Sequence, residues 1–328
     1  MVFYLYEEAM KGVAKISVDG IVPQSFHLSH WKGNKTPTPL KADTATEIAM
    51  RYISHPDRKS FFPQVNILTN NHFDTDGLLS VWALLHPHKA EPISGRLIAA
   101  AEAGDHSIFS SEEGVQVNLL INALCRSDES PIASQLTSAT GPKEASYYKA
   151  LFPLLPDLFR KKDDYRSLWQ KPFDEILLSM ELFEKGIIGL EEHPEAGLSV
   201  VIDEQRPARE AIDHFCQGNL FLVIEDRERE EGGFAYELEY RYYAWAETVT
   251  RPLIPMLPME ALAEHLNGQE GSAEGKWLTQ GYAGRSMTSA LRFTDAEGKR
   301  HLSRLHPDQV VQGVLSHLPS QEEDAEDD

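Results

Sequence analysis

Cysteine is nearly absent: Cys125 and Cys216 are the only two in 328 residues. Two thiols cannot staple a chain of this length, so the fold must rest on a buried core. The same scarcity predicts a reducing compartment, the cytoplasm. No run of eighteen apolar residues occurs, which excludes a helical membrane span. The opening MVFYLYEEAMKGVAKISVDG carries acids and no basic leader, so it does not read as a secretory signal. Positive charge is scarce too. Lys and Arg number 31 against 51 Asp and Glu, a formal charge of −20, of which Glu322–Asp328 carry −6. An acidic body repels duplex nucleic acid and anionic lipid at long range. The tail SQEEDAEDD has nothing to bury and is predicted disordered. P-loop and dinucleotide glycine fingerprints, a Cys-x-x-Cys pair and a serine nucleophile elbow are all missing. Internal repeats are missing as well.

What is there is an ordinary globular composition, 41% hydrophobic and 25% charged. AKISVDGIV (14–22) reads as a first strand, followed by the polar loop FHLSHWKGNKTPTPLKAD. Thr44-Ala45-Thr46-Glu47 is a capping box that opens a helix through about Ile53. QVNILT (64–69) has the apolar, β-branched texture of a buried strand. Helices are predicted over 77–85, over 93–104 ending at Gly104, and over 115–125. Residues 144–191 are rich in helix formers. Beyond them GLSVVIDE, NLFLVIED and FAYELEYRYYAWAETV are strand-like, and Glu297-Gly298 gives a hairpin signal. The order predicts an α/β fold, a mostly parallel sheet with flanking helices plus a smaller β-rich C-terminal lobe. The expected divisions are 1–150 for the first lobe, 151–195 for a helical connector, 196–318 for the second lobe and 319–328 for the tail.

One stretch demands neutralisation. In NNHFDTDGLLSVWALL, His72, Asp74 and Asp76 fall within five residues between two apolar runs, where charge is costly to bury. A strand, a polar loop and a helix opening at a glycine form the carboxyl edge of an open α/β sheet, where such folds bind ligands. In extended backbone Asp74 and Asp76 project to the same side with His72 beside them. They could supply one face of a site for a hard divalent cation, and Mn²⁺ also accepts imidazole. Equally, Asp76 could cap the helix at Gly77 and Asp74 make an Asx-turn. An EF-hand is excluded, because Gly77 directly follows Asp76 and Leu78-Leu79 follow.

HFDTDGLLSVWALL resembles the first motif of the DHH phosphoesterase superfamily, H-x-D-x-D-G-x-x-S before an apolar helix. His72, Asp74, Asp76, Gly77 and Ser80 match it in place. The resemblance implies a DHH-like fold and one or two Mn²⁺ or Mg²⁺ ions on His72, Asp74 and Asp76, and Asp105, in a loop position close to the site, is expected to join them. It also implies water attack on a phosphoric ester or anhydride of a small phosphorylated or nucleotide-type substrate. His106 would serve as a further ligand or as the catalytic proton donor. The likeness covers about twenty residues. The Asp-His-His triplet and the glycine-rich C-terminal motif are absent, so a DHH-like scaffold that binds a small ligand or protein without turnover is the alternative. FDTDGLL also looks like the DxDGTL motif of haloacid-dehalogenase-type phosphatases, with Asp74 as nucleophile and Asp76 as acid/base. There the later acidic pair would be Asp163-Asp164. The whole chain is similar to a bacterial domain family bearing the same loop.

Residues 27–43 stand out as basic against the acidic background. His30, Asn34 in the Gly33-Asn34 turn, and Lys35 could cradle a substrate phosphate. A solvated loop with Trp31 packed on the body is the plain alternative. Arg285 in QGYAGRSMTSALRF is the second phosphate-binding candidate, as a guanidinium beside a possible anion nest. Of two Asp-His pairs, Asp105-His106 is expected in a loop near the site and Asp213-His214 in mid-helix as a structural pair. Asp203, ending an apolar strand, could also reach a sheet edge.

Overall fold

A computed structural model describes residues 1–62, 65–256, 258–280 and 290–318. The chain is α/β, with a parallel four-stranded sheet and a mixed six-stranded sheet, each accompanied by helices. Two compact units share it. The first comprises Met1–Glu175 and Trp245–Leu253, the second Ile176–Ala244 and Ile254–Asp328. The division therefore falls inside helix Arg166–Glu184. Among the described residues no helix is long and apolar enough to cross a membrane.

In the first unit, strands β1 (Val2–Leu5), β2 (Ile16–Val18), β3 (Phe26–Leu28) and β4 (Ile67–Asn70) align in the order β1-β4-β2-β3, all parallel. They are only three or four residues long. The expected strand over 14–22 ends at Val18, because Asp19 turns into the left-handed region at φ 66°. The stretch read as a polar loop holds β3, whose Leu28 is buried. Parallel alignment puts Asp19, His30 and the 71–76 loop at one edge, the carboxyl edge.

Helix Ala45–Ser54 begins where its capping residue predicts, with Thr44 Oγ1 accepting from the Glu47 N–H at 3.2 Å. Helix Thr75–Leu85 is apolar on every side and buried along its length, so it packs against both Ala45–Ser54 and Ser94–His106. Helix Ser94–His106 runs past Gly104, where a stop was expected. A Cβ on Gly104 would lie 2.9 Å from Thr75 Cβ, so this glycine allows close helix approach rather than ending the helix. Asp105 and His106 therefore sit in a last helical turn, closed by Ser107 at φ 55°.

In the second unit β5 (Gly189–His193), β6 (Leu198–Asp203), β7 (Leu220–Asp226), β8 (Phe234–Tyr240), β9 (Lys276–Gln280) and β10 (Ala290–Thr294) form the order β5-β6-β7-β8-β10-β9. Among the described residues only β6 and β7 of this sheet pair in parallel. The long strand expected over 234–249 stops at Tyr240. Its alternation holds to that point: Phe234, Tyr236, Leu238 and Tyr240 join the core under helices Glu260–Gln269 and Pro307–His317. Its other face carries Glu237 and Glu239, both buried, which Arg206 pairs; Arg292 also pairs Glu237.

Candidate metal centre

Four chain segments converge at the carboxyl edge of the parallel sheet. The first is the end of β2, where the left-handed turn at Asp19 turns its carboxylate back over the edge. Gly20 is required behind it: its N–H donates to Asn70 Oδ1 at 3.2 Å, and a Cβ there would lie 2.0 Å from Asn71 Oδ1. The second is His30 beyond β3, and the third is the 72–76 loop beyond β4. The last turn of helix Ser94–His106 is the fourth.

His30 lies at the centre, fully buried. Its Nδ1 is 2.6 Å from the Asp43 carbonyl oxygen. A carbonyl only accepts, so Nδ1 carries the hydrogen. Its Nε2 faces three carboxylate oxygens: Asp19 Oδ1 at 3.2 Å, Asp105 Oδ2 at 3.2 Å and Asp76 Oδ2 at 3.6 Å. His72 repeats the pattern. Its Nδ1 is 3.0 Å from Asn71 Oδ1, and its Nε2 is 2.8 Å from Asp74 Oδ2 and 2.9 Å from Asp19 Oδ2. Each oxygen of Asp19 thus serves one histidine.

The two loop aspartates divide the work differently from the sequence expectation. Asp74, not Asp76, caps helix Thr75–Leu85, its Oδ1 accepting from the Gly77 N–H at 2.8 Å. Asp76 instead accepts from the Ala45 and Thr46 N–H groups at 2.6 Å each, so it is seated on the N-terminus of the neighbouring helix. Capping and clustering coexist because each carboxylate has two oxygens.

Among the described residues the donor atoms fall into three overlapping groups, each within 4.8 Å: Asp19, His72 and Asp74; Asp19, His30, Asp76 and Asp105; and His30, Asp105 and His106. The first faces outward, with the His72 and Asp74 side chains 28% and 38% exposed. The second is closed, with Asp105 the most exposed of its side chains at 4%. Among the described residues, buried Asp105 Oδ2 has no close polar neighbour besides the carboxylates and the His30 ring at 3.2 Å. Without a cation the cluster must hold protons. Burial, and then the Asp19 charge, pushes Asp76 up to about 7. Burial with the Asp74 and Asp76 charges raises Asp105 well above the usual carboxyl range. Burial opposes charge on His30, yet Asp105, Asp19 and Asp76 outweigh it and raise that ring. His72 is raised in the same way by Asp74 and Asp19. His106 goes the other way: burial, helped by His30 and Arg251, keeps it neutral.

This donor set suits a divalent cation. Ring nitrogens whose opposite N–H is held by an oxygen are the arrangement in which imidazole ligates metals, and carboxylates supply the hard donors. Space is reserved as well. A Cβ on Gly77 would lie 2.5 Å from Asn70 Nδ2 and 2.9 Å from both Asp19 Oδ2 and Tyr148 Oη. Gly77→Ala is therefore expected to cost about 1–3 kcal/mol by overpacking, despite alanine's better helix propensity. Urea unfolding would show it, and the midpoint should fall in the metal-free protein too.

Of the expected ligands, His72, Asp74, Asp76 and Asp105 all take part. His30, expected at the substrate, is buried among them instead, because the turn after β3 carries it inward. Kept neutral, His106 is a better nitrogen donor than proton donor. Asn34 is committed to its own turn, its amide bonding the Trp31 carbonyl, Glu247 and the Thr36 N–H. Lys35 is exposed, and its N–H donates to His27 Nδ1. Arg285 lies outside the described residues, as does the acidic tail. Asp203 ends β6 in the second unit and belongs to none of the three groups. Neither does Asp163, which pairs with Arg166 and Lys162 on an exposed turn. Asp213 pairs with Arg241. Asp19 was missed: the sequence shows it only as one more acid in a turn. Its signal was the Asp-Gly pair closing an apolar strand.

Over residues 1–328 the chain matches the model of a family of unknown function (DUF6687). No curated protein matches it.

Proposed function

Because the chain belongs to DUF6687, whose description assigns no activity, we propose its function from the site: a hydrolase of small phosphoric esters or anhydrides that depends on divalent cations, Mn²⁺ or Mg²⁺. The observation that carries the cation is the His30 ring, protonated toward the Asp43 carbonyl and facing three carboxylates with its other nitrogen. The phosphoester class rests on the likeness of HFDTDGLLS to the DHH first motif. Asp19, His72 and Asp74 would hold an outer ion, and Asp19, His30, Asp76 and Asp105 an inner one. Cations there supply Lewis acidity to a phosphoryl oxygen and make water a better nucleophile. The protein's own part is to fix the donors: Asn70 Nδ2 donates to Asp19 and to Tyr148 Oη, and Tyr148 donates to the His72 carbonyl. A second reading, a scaffold binding without turnover, is favoured by the complete burial of the inner half.

The test is to titrate EDTA-treated protein with Mn²⁺, following thermal unfolding, and then to screen phosphomonoesters, diesters and anhydrides. A ligand that binds only the native state raises its stability with saturation. A saturable rise with turnover is the expected result. A rise without turnover leaves the scaffold reading standing. No rise at millimolar Mn²⁺ sinks the cation site.

A further inference from the structure

The supports of His30 share an origin far from the strands and loops that supply the cluster. Between β8 and helix Glu260–Gln269 the chain leaves the second unit for nine residues, and Trp245–Leu253 count with the first. This strap touches His30 twice and supports it a third time through Asp43. Glu247 N–H donates to the His30 carbonyl at 2.7 Å. The Trp245 ring stands edge-on to the imidazole, centroids 4.9 Å apart, and also packs against His106 at 6.0 Å. The third support is indirect. Asp43, whose carbonyl holds His30 Nδ1, is itself held by the strap: its Oδ1 accepts from Val249 N–H at 2.5 Å and Thr250 N–H at 3.0 Å, and its Oδ2 pairs with Thr250 Oγ1 and Arg251 Nη1.

Arg251 reaches further. Its Nη2 lies 3.2 Å from Glu102 Oε1, one turn before Asp105 on helix Ser94–His106. One guanidinium therefore ties the segment that orients His30 to the helix that carries Asp105 and His106. The outer group meets the strap at one remove, through Trp31, whose ring packs against Trp245 at 5.9 Å and whose backbone bridges Ala246. None of the hydrogen-bond or ion-pair partners of His72 described here, Asn71, Asp74 and Asp19, comes from the strap, and its ring meets Trp31.

We propose that Asp43 and Arg251 are positioning residues for the inner cation, fixing the His30 donor nitrogen and latching the strap over it. The inference rests on the cation reading above. The inner ion is then retained by the strap, while the outer ion exchanges freely through the exposed His72 and Asp74. A purely structural role for the strap would weaken both halves together; a positioning role separates them.

The experiment loads the full chain with Mn²⁺, mixes it with excess EDTA and counts the ions still bound against time. Wild type should lose one ion fast and one slowly, and His72→Gln should abolish the fast phase only. Removing the hydrogen-bonding partner behind a metal-binding histidine typically costs 10–100-fold in affinity. Arg251→Gln should accordingly speed the slow phase about 10- to 100-fold and leave the fast phase within about twofold, with Arg251→Lys restoring most of the retention. Arg251 is part-exposed, so its variants are expected to fold. Asp43→Asn is the second variant and should act in the same direction. Unchanged slow release in both variants overturns the proposal. So does equal acceleration of both phases, which would mean general loosening. Wild type that holds no Mn²⁺ overturns the cation reading itself, and this inference with it.

Discussion

Asp19→Asn is expected to empty both halves of the site at once. Asp19 is the one carboxylate common to the outer and inner groups, with Oδ2 2.9 Å from His72 Nε2 and Oδ1 3.2 Å from His30 Nε2. Its charge is fixed before any cation arrives: burial works against ionisation, but His72 and His30 together hold its carboxyl below the ordinary range. Loss of a mere outer-shell partner weakens metal binding by roughly 10–100-fold, so loss of a shared direct ligand should weaken it at least ~100-fold at each half. Asparagine is the informative replacement. It keeps the shape and tolerates the left-handed backbone at φ 66°, where alanine would add about 1–2 kcal/mol of strain. The measurement is the number of Mn²⁺ ions bound per chain at a fixed free concentration, by plasma mass spectrometry after gel filtration. The expected count falls from two toward zero while circular dichroism is retained. A variant that still binds two ions would show that Asp19 serves the turn and the histidines alone.

The second large effect is a reversal of the pH dependence of stability on adding Mn²⁺. In the metal-free fold, Asp76 titrates at about 7 and Asp105 above the usual range, whereas unfolded carboxyls lose their protons near pH 4. His30 and His72 likewise keep protons above the ordinary imidazole value near 6.5. All four groups bind more protons folded than unfolded, so their stabilisation is present at lower pH and lost as pH rises, for Asp76 through about 7. Two groups oppose them. Asp19, held low, loses its contribution only as pH falls below about 4. His106, held neutral, subtracts stability as pH falls below about 6.5, but it is one group against four. A cation needs these donors without protons, so each proton it displaces costs about 1.4 kcal/mol of binding per pH unit of acidification. Metal-free protein should therefore gain thermal stability from pH 8 to 6. The increment from Mn²⁺ should be largest at pH 8 and close to nothing at pH 6. A Mn²⁺ increment equal at both values would mean that no protons are displaced and the ion binds elsewhere.

The short loop from His72 to Asp76 was legible because its problem is local. Three ionisable groups within five residues, between runs that must be buried, demand a neutralising partner whatever the fold. The capping residue Thr44 and the strand alternation up to Tyr240 were legible for the same reason, being set by neighbours in the chain. The role of Gly104 was not. A glycine after an apolar helical stretch reads as a stop, and only the packing of Thr75 against it shows that the missing side chain admits a neighbouring helix.

What the sequence by itself determined is the composition of the core, the alternation of helix and strand, and one patch of unbalanced charge at a sheet edge. The tertiary structure decided which distant groups meet that charge. Asp19 arrives through a left-handed turn after a three-residue strand, too short to announce its direction. His30, carried inward by the turn after β3, is backed by a segment about two hundred residues later, Trp245–Arg251, which holds the Asp43 carboxylate while the Asp43 carbonyl takes the ring's Nδ1–H. Local propensity reports a residue's own backbone and its neighbours within a turn or two. Which nitrogen of a histidine carries the proton depends on what lies across the ring, and chain folding alone brings that group there.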